Sequence, residues 1–152
     1  MLLSEILQPA FVKAPLQAAD KHSVIIELVD VLNAGGRILN KDVALQAVLA
    51  REQTRSTGIG SGIAIPHGKC SAVRELIMSM GIAPVPIDFG SVDGKPVSII
   101  ILLISPLDQT GPHIQALARI SRLMLDEQFR SKLQHAASPE DVCRIVAEKE
   151  NE

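Results

Sequence analysis

The stretch Ser56-Thr57-Gly58-Ile59-Gly60-Ser61-Gly62-Ile63-Ala64-Ile65-Pro66-His67-Gly68-Lys69 decides how this chain is read. Three glycines alternate with small residues, an apolar tetrad follows, and one histidine stands between Pro66 and Gly68. Glycine reaches positive φ and lets main-chain N–H groups approach an anion closely. Gly62 to Ile65 reads as a short buried strand, and Pro66, which has no N–H to give to a ladder, is expected to end it. His67 then falls at a strand's C-terminal end beside a donor-rich loop, the place where open α/β sheets carry their chemistry. Two readings follow from the local pattern: a structural histidine that closes a strand end by bonding nearby carbonyls, or a nucleophile.

Size and composition limit the rest. A chain of 152 residues fits one domain with a core that needs no staples. With 47% apolar and 21% charged residues and a net charge of −2, the composition is that of an ordinary globular protein. The absence of a basic run, of Trp and of Tyr, with Phe11, Phe89 and Phe129 scattered, argues against nucleic-acid binding. The apolar run Val97 to Ile104 is far too short to span a bilayer, so no direct membrane insertion is expected. Met1-Leu2-Leu3-Ser4-Glu5 lacks the basic start and long apolar stretch of a signal peptide, which makes the cytoplasm the expected compartment. Cys70 and Cys143 are isolated, unlike a metal knuckle or a redox pair.

Asp20 opens a helical pattern carried by Val24, Ile25, Leu28, Val31 and Leu32 and stopped by Gly35-Gly36. Asn40 caps a second, with Val43, Ala44, Ala47, Val48 and Arg51 along one side. Strands are expected over Ile77 to Ile82 and over Val97 to Ile104, the latter apolar on both faces and therefore central. Thr110-Gly111-Pro112 starts a helix whose buried stripe is expected to be Ile114, Leu117, Ala118, Ser121 and Leu125. Glu127 to Leu133 and Pro139 to Ala147, the latter capped by Ser138, complete the pattern. The order predicts an α/β fold: a small mixed, mostly parallel sheet sandwiched between helical layers, forming one domain over residues 1–152.

Three superficial matches fail. Gly58-Ile59-Gly60-Ser61-Gly62 follows a helix rather than a strand and lacks the dinucleotide G-x-G-x-x-G spacing. Gly62 to Cys70 has five residues between its glycines and a cysteine where a P-loop needs Ser or Thr. Asp88-Phe89-Gly90 has no H-R-D loop to make it a kinase triplet. His22 and His135 read as solvated. His113, in the first turn of the helix after the central strand, falls near the same sheet edge as His67, and Arg51 alone reads as an exposed helix-end arginine.

Arg51-Glu52 followed by Ser56-Thr57-Gly58-Ile59-Gly60-Ser61-Gly62-Ile63-Ala64-Ile65-Pro66-His67-Gly68 resembles the signature of the fructose/mannitol-type IIA domains of the bacterial phosphoenolpyruvate-dependent phosphotransferase system, a family that includes the nitrogen-regulatory IIA proteins. The likeness runs over nearly the whole chain. Asp93-Gly94-Lys95-Pro96-Val97 resembles the family's lead-in to its central strand, and His113-Ile114-Gln115-Ala116-Leu117-Ala118 its following helix. The resemblance implies that His67 carries a phosphoryl group on Nε2, flanked by Arg51 and His113. It also implies that phosphate arrives from an HPr-like carrier protein and leaves for a IIB domain. One position departs: where the family usually has asparagine, this chain has Ser61, with one donor fewer and less reach.

The chemistry suits these residue types. A neutral imidazole is a good nucleophile near neutral pH, and phosphoryl transfer asks the protein for positioning and charge stabilisation. Thr57, Gly58, Gly60, Ser61, Gly62 and Gly68 are the expected phosphoryl-binding loop, and Arg51 the forked cation. His113 is expected to donate to the same oxygens or to steady His67. No acidic cluster sits in the motif, so neither metal nor other cofactor is expected. Two function classes remain: a phosphocarrier in sugar uptake, and a regulatory binding module switched by His67 phosphorylation. The chain shows no fused IIB, IIC or HPr-like segment, which tilts toward regulation without deciding it. Intact Arg51, His67 and His113 count against a degenerate relative.

Overall fold

Near-continuous burial along Val97–Ser105 organises the fold. In the computed structural model, which describes residues 1–152, eight of these nine residues are buried. Successive side chains on a strand point to opposite faces, so both faces of the sheet are covered here. In chain order, 3₁₀ turns at Leu3–Glu5 and Pro9–Phe11 lead into β1 (Val12–Lys13), α1 (Lys21–Ala34) and α2 (Lys41–Thr54). The short strands β2 (Gly58–Gly60), β3 (Ile63–Ala64) and β4 (His67–Lys69) follow, then the long β5 (Ile77–Ile87) and β6 (Val97–Ser105). The helices α3 (Thr110–Leu123), α4 (Glu127–Gln134) and α5 (Pro139–Glu150) close the chain.

The six strands form one mixed sheet ordered β1-β5-β6-β3-β2, with β4 also paired to β6. Three of the five pairings are parallel (β1 with β5, β3 and β4 with β6), while β5 with β6 and β2 with β3 are antiparallel. The α/β fold with a mixed sheet between helices is thus the one the sequence predicts. β4 shows how the layers lie. A Cβ on Gly68 would come within 3.1 Å of the Ala47 and Val48 backbone, so α2 presses directly on that face. Its neighbours look the other way: Lys69 Nζ donates to Thr110 Oγ1 at 3.1 Å, and the His67 ring faces His113, both on α3. A core cluster of 41 buried apolar residues runs through both layers.

Three expected caps are present. Asp20, Asn40 and Ser138 accept hydrogen bonds from the backbone N–H of Ser23, Val43 and Asp141. Three expectations fail in instructive ways. The stripe of α3 is turned by about one residue, so that His113, Ala116 and Ile120 are buried while Ile114 and Leu125 stand 59% and 80% exposed. Val43 on α2 is likewise exposed, and Glu52 is buried in its place. The strand at Ile63 also does not end for good at Pro66. Proline lacks the N–H but keeps its carbonyl, which accepts from Leu103 N–H at 3.0 Å, and the chain stays against β6 as β4. His67 therefore begins a parallel strand, opposite Leu103, instead of ending one.

Candidate active site around His67

His67 is fixed by its own backbone. Its Nδ1 lies 2.8 Å from the carbonyl of Ile65, two residues earlier, and a carbonyl can only accept, so Nδ1 carries the proton and donates. Nε2 is left with its lone pair and no protein partner. It is not among the fully buried orphaned polar atoms, of which Ser91 Oγ is the single case, so it keeps contact with solvent. Burial pushes the His67 pKa below its ordinary value, and the nearby Arg51 cation pushes the same way, against the opposing hydrogen bond to Ile65. The imidazole is therefore neutral at neutral pH, with a nucleophilic nitrogen facing out.

The surroundings are cationic and apolar. A depression of about 390 Å³ opens over His67, lined by Arg51, Arg55, Ser56, Thr57, Gly58, Ile59, Ile65, Val92, Leu117 and Ser121. It contains no carboxylate, and neither arginine joins an ion pair. Arg51 is held in place by donating from Nη1 to the Arg55 carbonyl at 2.8 Å, at the end of α2. The rim is greasy: Ile59 is 46% and Val92 76% exposed. Such a site is open enough for a protein's side chain to enter, and its two guanidinium groups suit an anion.

His113 sits outside that depression. Its ring centroid is 5.4 Å from that of His67, with the planes tilted at 60°. It is buried, with Nδ1 2.7 Å from Ser105 Oγ. Burial, together with the charges of His67 and Lys69, lowers its pKa to about 4.

Of the expected phosphoryl-binding loop, Thr57 and Gly58 line the depression and the other positions do not. Gly60, Ser61 and Gly62 form the tip of the β2–β3 hairpin, all at positive φ. They meet Asp93, Ser98 and Gln134 rather than His67, with Ser61 N–H bonded to Asp93 Oδ2 at 3.1 Å. The Gly68 amide faces β6 in the parallel ladder, its partner position being Ile104.

Glu52 is the residue that sequence reasoning passed over. It is 6% exposed and accepts from both Thr57 N–H (2.9 Å) and Thr57 Oγ–H (2.5 Å), and it pairs with Lys21 Nζ at 2.7 Å. This carboxylate ties α1, the end of α2 and the start of the site segment together. Its signal was its place beside Arg51 in the motif, at a helical position in register with Ala44 and Val48.

A mixed α/β sandwich that presents a neutral histidine in a shallow cationic depression defines a class of protein, and the comparisons give the family. The chain belongs to the family described as "Phosphoenolpyruvate-dependent sugar phosphotransferase system, EIIA 2", whose model matches residues 5–149. It is 35% identical over 130 residues to the PTS system fructose-specific EIIA component of Haloferax volcanii, covering 86% of this chain and 84% of that protein. It is 32% identical over 146 residues, 96% of this chain, to the PTS system fructose-specific EIIABC component of Bacillus subtilis, of whose length it spans only 23%. Among solved structures it is similar to the nitrogen regulatory protein IIA-Ntr from Neisseria meningitidis. There the TM-score is 0.87 and the identity 29%, over 95% of this chain and 98% of that one. No helix here is long and apolar enough to cross a membrane.

Proposed function

We propose that residues 1–152 act as one IIA domain in the cytoplasm, a phosphohistidine carrier that accepts a phosphoryl group on Nε2 of His67 from an HPr-like protein and passes it to a IIB domain in sugar uptake. The observation that carries this reading is the Nδ1–H bond to the Ile65 carbonyl, which leaves a neutral Nε2 lone pair beside the Arg51 guanidinium. In transfer, the Nε2–P bond forms as the N–P bond to the donor's imidazole breaks, and the donor ring leaves with that electron pair. The proton stays on Nδ1, hydrogen-bonded to the Ile65 carbonyl, which stabilises the positive charge the ring gains. Arg51 binds the phosphoryl oxygens, and His113 flanks them, while Thr57 stays clamped to Glu52 at the edge of the depression. The EIIABC naming of the Bacillus subtilis relative supports a IIB partner, since there A, B and C components share one chain.

A second reading is a nitrogen-regulatory module whose His67 phosphorylation state decides which protein it binds. The likeness to IIA-Ntr favours it. Both readings rest on the same test. Incubation with phosphoenolpyruvate and the upstream carriers should add one phosphoryl group, labile in acid and stable in alkali, as a phosphoramidate is. His67→Ala should remove it while the fold persists, since a half-buried edge imidazole contributes little core packing. Acid-labile label retained on folded His67→Ala overturns the assignment.

A further inference from the structure

We propose that Ser105 is a positioning residue for phosphoryl transfer: its hydroxyl donates to Nδ1 of His113 and so holds the His113 proton on Nε2, ready to donate to the oxygens of the phosphoryl group on His67. This rests on the phosphocarrier reading of His67. Ser105, the last residue of β6, is completely buried. The only hydrogen bond its hydroxyl makes is to His113 Nδ1, at 2.7 Å across eight residues of chain.

Either atom can be the donor in that bond, and burial separates the two cases. If Nδ1–H donated to Oγ, the hydroxyl proton would have nowhere to go, and a buried donor left unpaired is costly. If the hydroxyl donates, its proton is used and the imidazole Nδ1 is the acceptor. A neutral ring has one proton, which must then sit on Nε2. His113 Nε2 has no protein partner, yet it is not a fully buried orphan, so it still meets solvent. His67 Nε2 is in the same state, and the two rings are 5.4 Å apart. A phosphoryl group on the one nitrogen is thus within reach of an N–H on the other. With the opposite tautomer, His113 would turn a lone pair toward the phosphoryl oxygens and repel them. The low pKa of His113, about 4, keeps the ring in its one-proton form at neutral pH, so the choice of tautomer matters there.

The wild-type protein, uniformly labelled with nitrogen-15, gives the first test at pH 7.5 through two-bond nitrogen–proton correlations of its histidine rings. We expect His113 Nε2 to be the protonated nitrogen and Nδ1 the bare one. The reverse assignment overturns the proposal, and this measurement does not depend on phosphorylation. In Ser105→Ala the His113 ring should show a mixed or reversed tautomer. Phosphoryl acceptance from the upstream carrier should fall by about tenfold, the scale of one lost hydrogen bond to a charged group. Label should still appear on His67. Ser105→Thr, which restores a hydroxyl, should recover both tautomer and rate. Ser105→Ala with the wild-type tautomer and rate overturns the role. Failure of wild-type protein to accept any label would sink the carrier reading alone, since the tautomer assignment would still decide what Ser105 does.

Discussion

The two ends of the glycine-rich segment look alike in sequence and are built for different purposes. At its root, Thr57 is clamped by the buried Glu52 carboxylate, Ser56 Oγ donates to the Phe89 carbonyl at 2.6 Å, and the returning strand hangs His67 from the Ile65 carbonyl. At its tip, Gly60, Ser61 and Gly62 turn the hairpin at positive φ, held by the exposed Asp93. The root is desolvated and over-determined, while the tip is more exposed, held by one surface carboxylate and by the Ser98 and Ile99 N–H groups that donate to the Gly62 carbonyl. Glycine at the tip answers a need for backbone geometry, and only the root bears on the histidine.

Four measurements press on that contrast. The largest effect should come from Glu52→Ala, which strips a 6% exposed carboxylate from Thr57 and Lys21 at once. A loss of about 3 kcal/mol is expected, toward the lower end for a broken buried pair because Lys21 can turn to solvent. Transfer should slow as the root loosens. A denaturant midpoint within experimental error of wild type would show that the root does not depend on its clamp.

Arg51→Lys keeps the charge and loses the planar fork. Transfer slower by about tenfold is expected, with little change in melting temperature, because the guanidinium is bonded only to the Arg55 carbonyl. Unchanged kinetics together with a lowered melting temperature would make Arg51 a helix-end brace.

Acid should weaken the fold through the two facing rings. The folded-state pKa of His113 is depressed to about 4, below its ordinary 6.5, and that of His67 is depressed too. The unfolded chain therefore binds more protons across that window. This contribution to stability is complete above pH 6.5 and is lost as pH falls toward 4. His113→Gln should flatten the decline between pH 7.5 and 5 in thermal melts. An equally steep decline in the variant would place the acid sensitivity elsewhere.

Ser61→Asn should have the smallest effect. At φ 58°, Ser61 occupies the left-handed region that asparagine tolerates better than serine. The substitution should stabilise the chain by a few tenths of a kcal/mol and leave transfer unaltered, because the tip lies away from His67. A rate change of several-fold would join tip and root into a single functional loop.

Local pattern determined a good deal by itself. The caps at Asp20, Asn40 and Ser138, the two-sided apolar run of β6 and the start of α3 at Thr110 were all legible, because capping and hydrophobic period act over a few residues. The motif likewise marked His67, Arg51 and His113 as candidates. Tertiary structure alone decided how these parts face one another. The buried side of α3 carries His113, Ala116 and Ile120 because α3 must lay those positions on the sheet. The more apolar Ile114 is left outside, and a helix's phase about its axis is set by its partner, which periodicity in one chain segment cannot see. His67 became the first residue of a parallel strand because β6 offered Leu103 as a partner beyond Pro66, a pairing between positions 36 residues apart. Glu52 and Ser105, both polar and both buried, were invisible for the same reason. Burying a polar group is worthwhile only where a partner waits, and those partners, Lys21 and His113, are brought by other elements of the fold.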